Sequence, residues 1–202
     1  MAAALPPDVA AALRKQAPKL MRKGMEREVK KKFDRIKQEM SKEFLGNPIT
    51  QEILAGPDTS NVSGTLNGVS NLFAFIGFDS GEQPIAPILA LFEKMTIKFE
   101  REIKRPKIGN RFKVDLPTAD DIFAITPMPW ATGRSWAQGI ERGISGLGYL
   151  LRKNKGRSGS AIQSRVKVRA GKFQNTSYIS ALISKYKKKF EELKWLSNFN
   201  IS

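Results

Sequence analysis

The chain has 202 residues, which is enough for one ordinary domain with an extension or for two small domains. It contains no cysteine and no histidine, which excludes disulfides, thiolate catalysis and cysteine-based zinc sites and removes the commonest general base. Its formal net charge of +16 favours anionic partners, namely nucleic acid, acidic lipid or an acidic protein surface.

Membrane insertion and secretion are not predicted. The longest apolar run, Leu72 to Phe78, has seven residues including a glycine, whereas a membrane-spanning helix needs roughly 18 apolar residues. The N-terminus lacks the basic region and long apolar run of a secretory signal. We therefore expect a soluble protein, made and used in the cytoplasm, that has no membrane partner.

Residues 9–45 are predicted to form a long helix with one apolar face. Pro18 removes a backbone donor and should kink this helix or mark its true start. Gly46 and the pair Asn47-Pro48 supply the stop signal. The face covers the helix's own domain or docks on a neighbouring protein. Its residues keep mostly three- and four-residue spacing and are Leu13, Leu20, Met21, Met25, Val29, Phe33, Ile36, Met40 and Phe44.

Residues 46–84 are rich in turn-forming residues and carry few charges. Gly56 to Gly68 shows turn signals without periodicity, which predicts a loop. The apolar run Leu72 to Ile76 predicts a short buried strand or a plug beneath that loop. After Pro87, the sequence Ile85 to Met95 predicts a short helix with an apolar face. That face comprises Ile88, Leu91, Phe92 and Met95.

The clearest strand signal follows this helix. Apolar and charged residues alternate from Thr96 to Lys104 and again from Phe112 to Leu116. Pro106 to Asn110 connects the two runs, so the sequence predicts a β-hairpin. Asp121 to Thr126 is either a third strand or a helical turn capped by its aspartates. The two prolines of Pro127-Met128-Pro129 are predicted to end regular structure.

The glycine-rich segment Pro129 to Leu151 predicts a further amphipathic helix. Ser135 is its expected N-cap, and Gln138 completes a capping box. Gly139, Gly143 and Gly146 would lie inside this helix, where each costs about 1 kcal/mol relative to alanine unless a neighbour packs closely against it. The helix either packs in a core or forms a subunit contact. Its apolar face is predicted to contain Trp136, Ile140, Ile144, Leu147 and Leu151.

The last 50 residues are strongly basic. Arg152 to Gly159 is a basic loop without the ending of a phosphate-binding loop. The alternating run Arg165 to Ala170 predicts a strand that suits a phosphate backbone or an acidic subunit surface. A final helix is capped by Ser177 or Thr176, and the apolar tail from Trp195 is expected to dock. The cations of the predicted strand are Arg165, Lys167 and Arg169, and the apolar face of the helix contains Ile179, Leu182, Ile183, Tyr186, Phe190 and Leu193.

No catalytic, cofactor-binding or metal-binding residues are predicted. An enzyme would have to use Glu141, Asp120 or Asp121, and their spacing does not support a site. The high charge leaves a basic cytoplasmic nucleic-acid-binding protein as an alternative function. The signal for base recognition is weak, because the aromatic residues of the basic region fall mostly on apolar helix faces.

Three phrases of the second half resemble a known family. They are PWATGRSWAQGIERGISGLGYLL (129–151), GRSGSAIQ (156–163) and VRAGKFQNTSYISALI (168–183). Together with the order helical arm, hairpin, glycine-rich helix, strand and final helix, they resemble the neck or tail-completion proteins of tailed bacteriophages. The resemblance covers about the last 75 residues, and the first 95 carry no family phrase.

The resemblance implies a virion structural protein that joins the head connector to the tail. Such a subunit would form a ring, which is expected to be a hexamer. The ring would contact other neck, connector or tail proteins. DNA would pass through its lumen with non-specific contact. The protein would be located in the virion, and it would not be an enzyme.

The predicted fold is α+β, with a long N-terminal helix and a small antiparallel sheet packed by a glycine-rich helix and a C-terminal helix. The expected organisation is a helical arm (1–46), a loop-rich insertion with a short helix (47–95) and an α+β tail-completion-like domain (96–202). The residues expected at an assembly interface are Trp130, Trp136, Ile140, Gly143, Ile144, Arg165, Lys167, Arg169, Trp195 and Phe199.

Overall fold

A computed structural model describes residues 6–66, 71–103, 108–144, 177–193 and 198–199 of the chain. The helices in these ranges are α1 (Pro7–Gly46), α2 (Pro48–Leu54), α3 (Leu72–Ile76), α4 (Ala86–Glu93), α5 (Ala119–Ala124), α6 (Trp136–Arg142) and α7 (Ile179–Glu192). The strands are β1 (Thr96–Ile103), β2 (Ile108–Asp115), β3 (Pro127–Met128), β4 (Ala131–Ser135) and β5 (Asn198–Phe199). The predicted mixture of a long N-terminal helix, a small antiparallel sheet and a C-terminal helix is confirmed.

The chain divides into two compact units, and each combines distant segments of the sequence. Unit 1 comprises Met1–Met40, Met95–Leu116 and Ser184–Ser202, and unit 2 comprises Ser41–Lys94 and Pro117–Ile183. The division differs from the predicted boundaries after residues 46 and 95, because the hairpin clusters with α1 whereas the glycine-rich helix clusters with residues 41–94. A division into consecutive segments does not capture this arrangement.

The predicted β-hairpin is present in unit 1. β1 and β2 pair antiparallel, with Phe99 opposite Phe112. β2 starts at Ile108, inside the segment predicted as the connection. The tail adds a third strand, because Asn198 and Phe199 of β5 pair with Gly109 and Ile108 of β2. The expectation that the apolar tail docks is met by this backbone pairing.

Helix α1 runs without interruption through Pro18 and ends at Gly46, where the sequence predicted a stop. The alternative that Pro18 marks the true start is wrong, because the helix begins at Pro7. A proline at the first helical position costs no hydrogen bond, since the amide there would have no helical partner.

The apolar residues of α1 do not form one face. Val29, Phe33 and Ile36 are buried, whereas Leu20 is 79% exposed. Each helical residue turns the chain by about 100°, so Leu20 and Val29 lie on opposite sides of the helix. The prediction of a single face is therefore wrong, because its first members point away from the side that packs.

In unit 1, the buried side of α1 meets the hairpin and the second half of α7. The Phe33 and Phe190 rings pack with centroids 5.4 Å apart. The Arg22 guanidinium carbon lies 3.9 Å from the centroid of the Phe99 ring on β1, which places a cation over an aromatic face. The three rings, those of Phe33, Phe99 and Phe190, all lie on faces that were predicted to be apolar.

Unit 2 contains a helix that the sequence did not predict and one in the segment that it predicted as a strand or a plug. α2 begins with Pro48, and the Asn47 side chain caps it by accepting from the Ile49 amide at 2.9 Å. Leu72 to Ile76 is helical, capped by the Asn71 side chain, which accepts from the Ala74 amide at 2.9 Å. The strand interpretation is wrong, although burial of Leu72 agrees with a plug. The short helix α4 is confirmed, with Ile88 and Phe92 buried.

The region after the hairpin contains a capped helix and a small ribbon. Thr118 and Asp121 form a reciprocal capping box at the start of α5, so the strand alternative for this segment is wrong. Hydrogen bonds from the Thr118 amide and hydroxyl hold the pKa of the Asp121 carboxyl below its ordinary value. Regular structure continues past Pro127, because β3 pairs with β4, contrary to the prediction that the prolines end it.

Candidate assembly site

The glycine-rich helix α6 begins as predicted but ends early. The Ser135 hydroxyl accepts from the Gln138 amide at 3.0 Å and caps the helix. The helix ends at Arg142, and Gly143 follows with φ +111° and ψ 134°. The prediction that Gly143 lies inside a longer helix is wrong. This backbone conformation is one that glycine adopts readily and other residues do not. Gly146, Leu147 and Leu151 lie outside the described residues.

Close packing against a glycine occurs at Gly139. A Cβ added there would lie 2.8 Å from Ile144 Cγ1 and 3.1 Å from Met128 Cε. A methyl group does not fit at these distances unless the neighbours shift. The predicted close approach to a glycine of this segment is confirmed at this position, and the neighbour is the segment's own Ile144 together with β3.

The large apolar residues of α6 are core residues of unit 2. Trp136 and Ile140 are 1% and 0% exposed, and Ile144 is also buried. The Trp136 ring makes an edge contact with Phe78 at 5.8 Å. Trp130 is half-buried, and its indole nitrogen donates to the carbonyl of Ile76, the last residue of α3, at 2.7 Å. In the chain by itself, these residues hold unit 2 together.

Glu141 joins α6 to the start of α7. Its carboxylate accepts from the Ser180 amide and the Ser180 hydroxyl, each at 2.6 Å, and from the Tyr178 amide at 3.3 Å. The first amides of a helix have no helical partner, and a negative charge there is favoured by the helix dipole. Glu141 of α6 therefore caps the N-terminus of α7. This role is structural, whereas the sequence had offered Glu141 as a catalytic candidate.

Tyr178 lies beside this cap and is buried. Its hydroxyl is 2.7 Å from the Thr50 hydroxyl, and its ring stacks on Phe44 at 5.9 Å. Burial raises the pKa of the Tyr178 phenol above its ordinary value, although the hydrogen bond with Thr50 acts in the opposite direction. The tyrosine thus connects residues from α1, α2 and the entrance to α7 within unit 2.

We predict that Tyr178→Phe lowers the free energy of unfolding by about 1–2 kcal/mol, because Thr50 loses its partner. Since burial raises the folded-state pKa of the phenol, the stability of the parent is complete below the unfolded pKa of about 10 and falls as the pH rises through the folded value, whereas the phenylalanine variant lacks this loss. Urea denaturation at neutral and alkaline pH measures both effects. The double variant Thr50→Val/Tyr178→Phe should recover stability, and equal unfolding of all forms would contradict the assignment.

A second polar cluster surrounds a fully buried carboxylate, Glu52 of α2. Its Oε1 accepts from the Leu72 amide at 2.7 Å and from the Asn61 amide group at 2.9 Å. Its Oε2 accepts from the Ser63 amide at 2.7 Å and from the same Asn61 nitrogen at 3.1 Å. Because both oxygens only accept, the arrangement suits an ionised carboxylate.

Sequence reasoning missed this Glu52 cluster. One signal was present: Glu52 follows Ile49 by three residues and precedes Ile53, so it occupies the apolar side of a short helical segment. Two of the donors, Asn61 and Ser63, come from a segment that carries turn signals only, and the third is the Leu72 amide. No spacing rule connects these residues to α2. The cluster holds the predicted loop after Gly56 against the helix.

Part of the predicted interface lies outside the described residues. Arg165, Lys167, Arg169 and Trp195 lie outside the described residues, and Phe199 is described only through the backbone pairing of β5. The structure brings Trp136, Ile140 and Ile144 together in the core of unit 2. The assignment of these residues to an assembly interface stays a prediction.

The part of the chain that the structure describes includes no group of three or more acidic side chains arranged to hold a metal ion. It also includes no helix with the length and apolar character required to cross a bilayer. Comparisons with protein-family models, characterised proteins and solved structures found no match for the chain.

Proposed function

We propose that the chain is a structural subunit of a phage virion that forms a ring in the neck or at the top of the tail. The ring would join the head connector to the tail and contact other neck, connector or tail proteins. The subunit would be located in the virion, and its role would be structural rather than catalytic.

The contact between Glu141 and the entrance of α7 carries this proposal. Glu141 belongs to the first phrase of the family resemblance, and Tyr178 and Ser180 belong to the third. Three hydrogen bonds of 2.6–3.3 Å connect them. Residues from the first and third phrases are thus in direct contact. Such contact is expected if the two phrases belong to one shared fold.

The uses of the polar side chains in unit 2 support a structural role. Glu52 and Glu141 direct their carboxylates at backbone amides. The hydroxyls of Thr126 and Ser135 form a buried pair 2.8 Å apart. General acid–base catalysis needs a group aimed at a space that a substrate can enter. These groups instead satisfy the chain's own buried donors and acceptors.

Mass photometry of the purified full-length chain tests the proposal. A hexameric ring would have a mass of about 136 kDa, six times the 22.6 kDa of one chain. Negative-stain electron microscopy of that species should show a ring with a central opening. Mass photometry after mixing with portal-side proteins tests whether the ring forms only on those proteins.

The proposal fails if the protein stays monomeric alone and with portal-side proteins and is also absent from purified particles. A charge-reversal variant serves as a control. Lys187→Glu/Lys188→Glu alters two exposed lysines of α7 and should leave unit 2 folded. If this variant also remains in the ring, nonspecific aggregation of a basic protein does not explain the assembly.

A further inference from the structure

The first half of α1 exposes a row of apolar side chains. Val9 and Leu13 are 41% and 40% exposed, and Leu20 is 79% exposed. At about 100° per residue, the three side chains lie within about 40° of each other around the helix. They form one row about three turns long on the side opposite the buried residue Val29. We refer to Val9, Leu13 and Leu20 as the apolar row.

A row of cations runs beside the apolar row. Lys15, Lys19, Lys23 and Arg27 follow each other at four-residue spacing, and all four are exposed. Residues four apart are neighbours on a helix surface, so these side chains form a ridge that turns slowly around α1. The sequence contains no acidic residue between Asp8 and Glu26. The ridge spans about three turns, and its first three members lie in this stretch without acidic residues. We refer to these four residues as the cationic row.

Two residues lower the intrinsic helical stability of this part of α1. Pro18 and Gly24 cost about 3 and about 1 kcal/mol relative to alanine in a helix interior. A surface that covers the apolar row would offset these costs, since burying a leucine contributes about 1.5–3 kcal/mol.

We propose that the exposed side of residues 7–27, which carries the two rows, is a docking surface for an acidic groove lined by apolar side chains on another protein. The cationic row selects an acidic rim, and the apolar row selects an apolar floor. An amphipathic helix that lies in such a groove is a recurring mode of protein recognition. This inference rests on α1 alone and holds whether or not the chain belongs to a virion.

Three other occupants fit the surface less well. If two copies of the chain paired through this surface, their cationic rows would lie close together and repel each other. A nucleic acid would attract the cations but would leave Leu20 in water. A bilayer surface favours helices with a broad apolar face and aromatic anchors, whereas the sequence has no aromatic residue before Phe33.

Calcium-loaded calmodulin is a suitable probe, because it is an acidic protein whose groove of apolar side chains accepts basic amphipathic helices. Labelled calmodulin is titrated with the full-length chain at physiological salt, and binding is followed by fluorescence anisotropy. Micromolar or tighter affinity is expected. Parallel titrations use a 30-base-pair DNA and vesicles of phosphatidylcholine with phosphatidylserine.

Two variants change one row each. Lys15→Glu/Lys19→Glu/Lys23→Glu reverses the cationic row, and Leu13→Ser/Leu20→Ser removes most of the apolar row. Each should weaken calmodulin binding by at least about tenfold, the effect of about 1.4 kcal/mol. Because the altered side chains are exposed, circular dichroism and the urea midpoint should stay close to those of the parent.

Matched controls lie outside the docking surface. Lys113→Glu/Lys187→Glu/Lys188→Glu makes the same change in net charge at three exposed lysines, and Leu54→Ser/Val62→Ser removes two exposed apolar side chains. Both controls should retain parental affinity. The proposal is overturned if they weaken calmodulin binding as much as the row variants do, or if the leucine variant binds like the parent.

Two further results would overturn the proposal of an acidic protein groove and would indicate a different partner. DNA binding that needs the lysines but not the leucines, without calmodulin binding, assigns the row to a phosphate backbone. Vesicle binding that needs the leucines, again without calmodulin binding, assigns it to an anionic membrane surface. Absence of binding to all three probes would also overturn the proposal.

Discussion

Replacing Glu52 by glutamine is expected to lower the free energy of unfolding by about 3 kcal/mol, although the two side chains have the same shape. Both carboxylate oxygens accept from backbone amides, those of Ser63 and Leu72. The glutamine NH2 group has to take the place of one oxygen. It then faces an amide hydrogen, so a buried donor meets a donor.

Urea denaturation of the parent and of Glu52→Gln measures the effect. Glu82→Gln is the control, because Glu82 is an exposed residue of unit 2 and the charge change is the same. Exposed substitutions usually shift stability by no more than about 0.5 kcal/mol. Hydrogen exchange adds a local readout, since the amides of Ser63 and Leu72 should exchange faster in the glutamine variant. Coincident unfolding curves for both variants would rule out the proposed role of Glu52.

The second large effect is expected at Gly143. Changing it to valine should cost about 3 kcal/mol or more, because φ of +111° with an extended ψ places the Cβ of an L-residue against its own backbone. Branching at Cβ restricts the side chain further. Relief of this strain would move Ile144, which packs beside Gly139. The loss should therefore appear as unfolding of the chain, before any assembly step.

Gly24→Val is the matched control for Gly143→Val. Gly24 lies inside α1, and a Cβ placed there has no heavy atom within 4 Å. Valine and glycine differ by only a few tenths of a kcal/mol in helix propensity, so this variant should unfold near the parental midpoint. If Gly143→Val unfolds at the same denaturant concentration as Gly24→Val, the strain assigned to Gly143 is absent.

Local patterns predicted the elements whose cause is local. The alternation in residues 96–116 predicted the hairpin, since a strand with one buried face needs only a period of two. Ser135 predicted the start of α6, because a cap satisfies amides two or three residues away. Gly46 with Asn47-Pro48 predicted the end of α1, because the residue before a proline is biased away from helical backbone angles. In each case the energetic cause lies within a few residues of the signal.

The secondary structure of short apolar segments could not be predicted from local patterns alone. The run Leu72 to Ile76 is apolar in either conformation, and five residues are too few to distinguish a period of two from one of 3.6. The Asn71 cap and the bond from the Leu72 amide to Glu52 favour the helix. The second of these joins residues 20 positions apart, which a local pattern cannot report.

By itself, the sequence determined the mixed α+β composition, the cationic surface and the caps that start and stop several helices. Only the tertiary structure decided which side of α1 packs, because the spacing of apolar residues defines faces but not their neighbours. It also decided that Glu52 and Glu141 are structural carboxylates, since their donors come from segments distant in the chain. The free energy of burying a charge depends on those donors, and only folding brings them together.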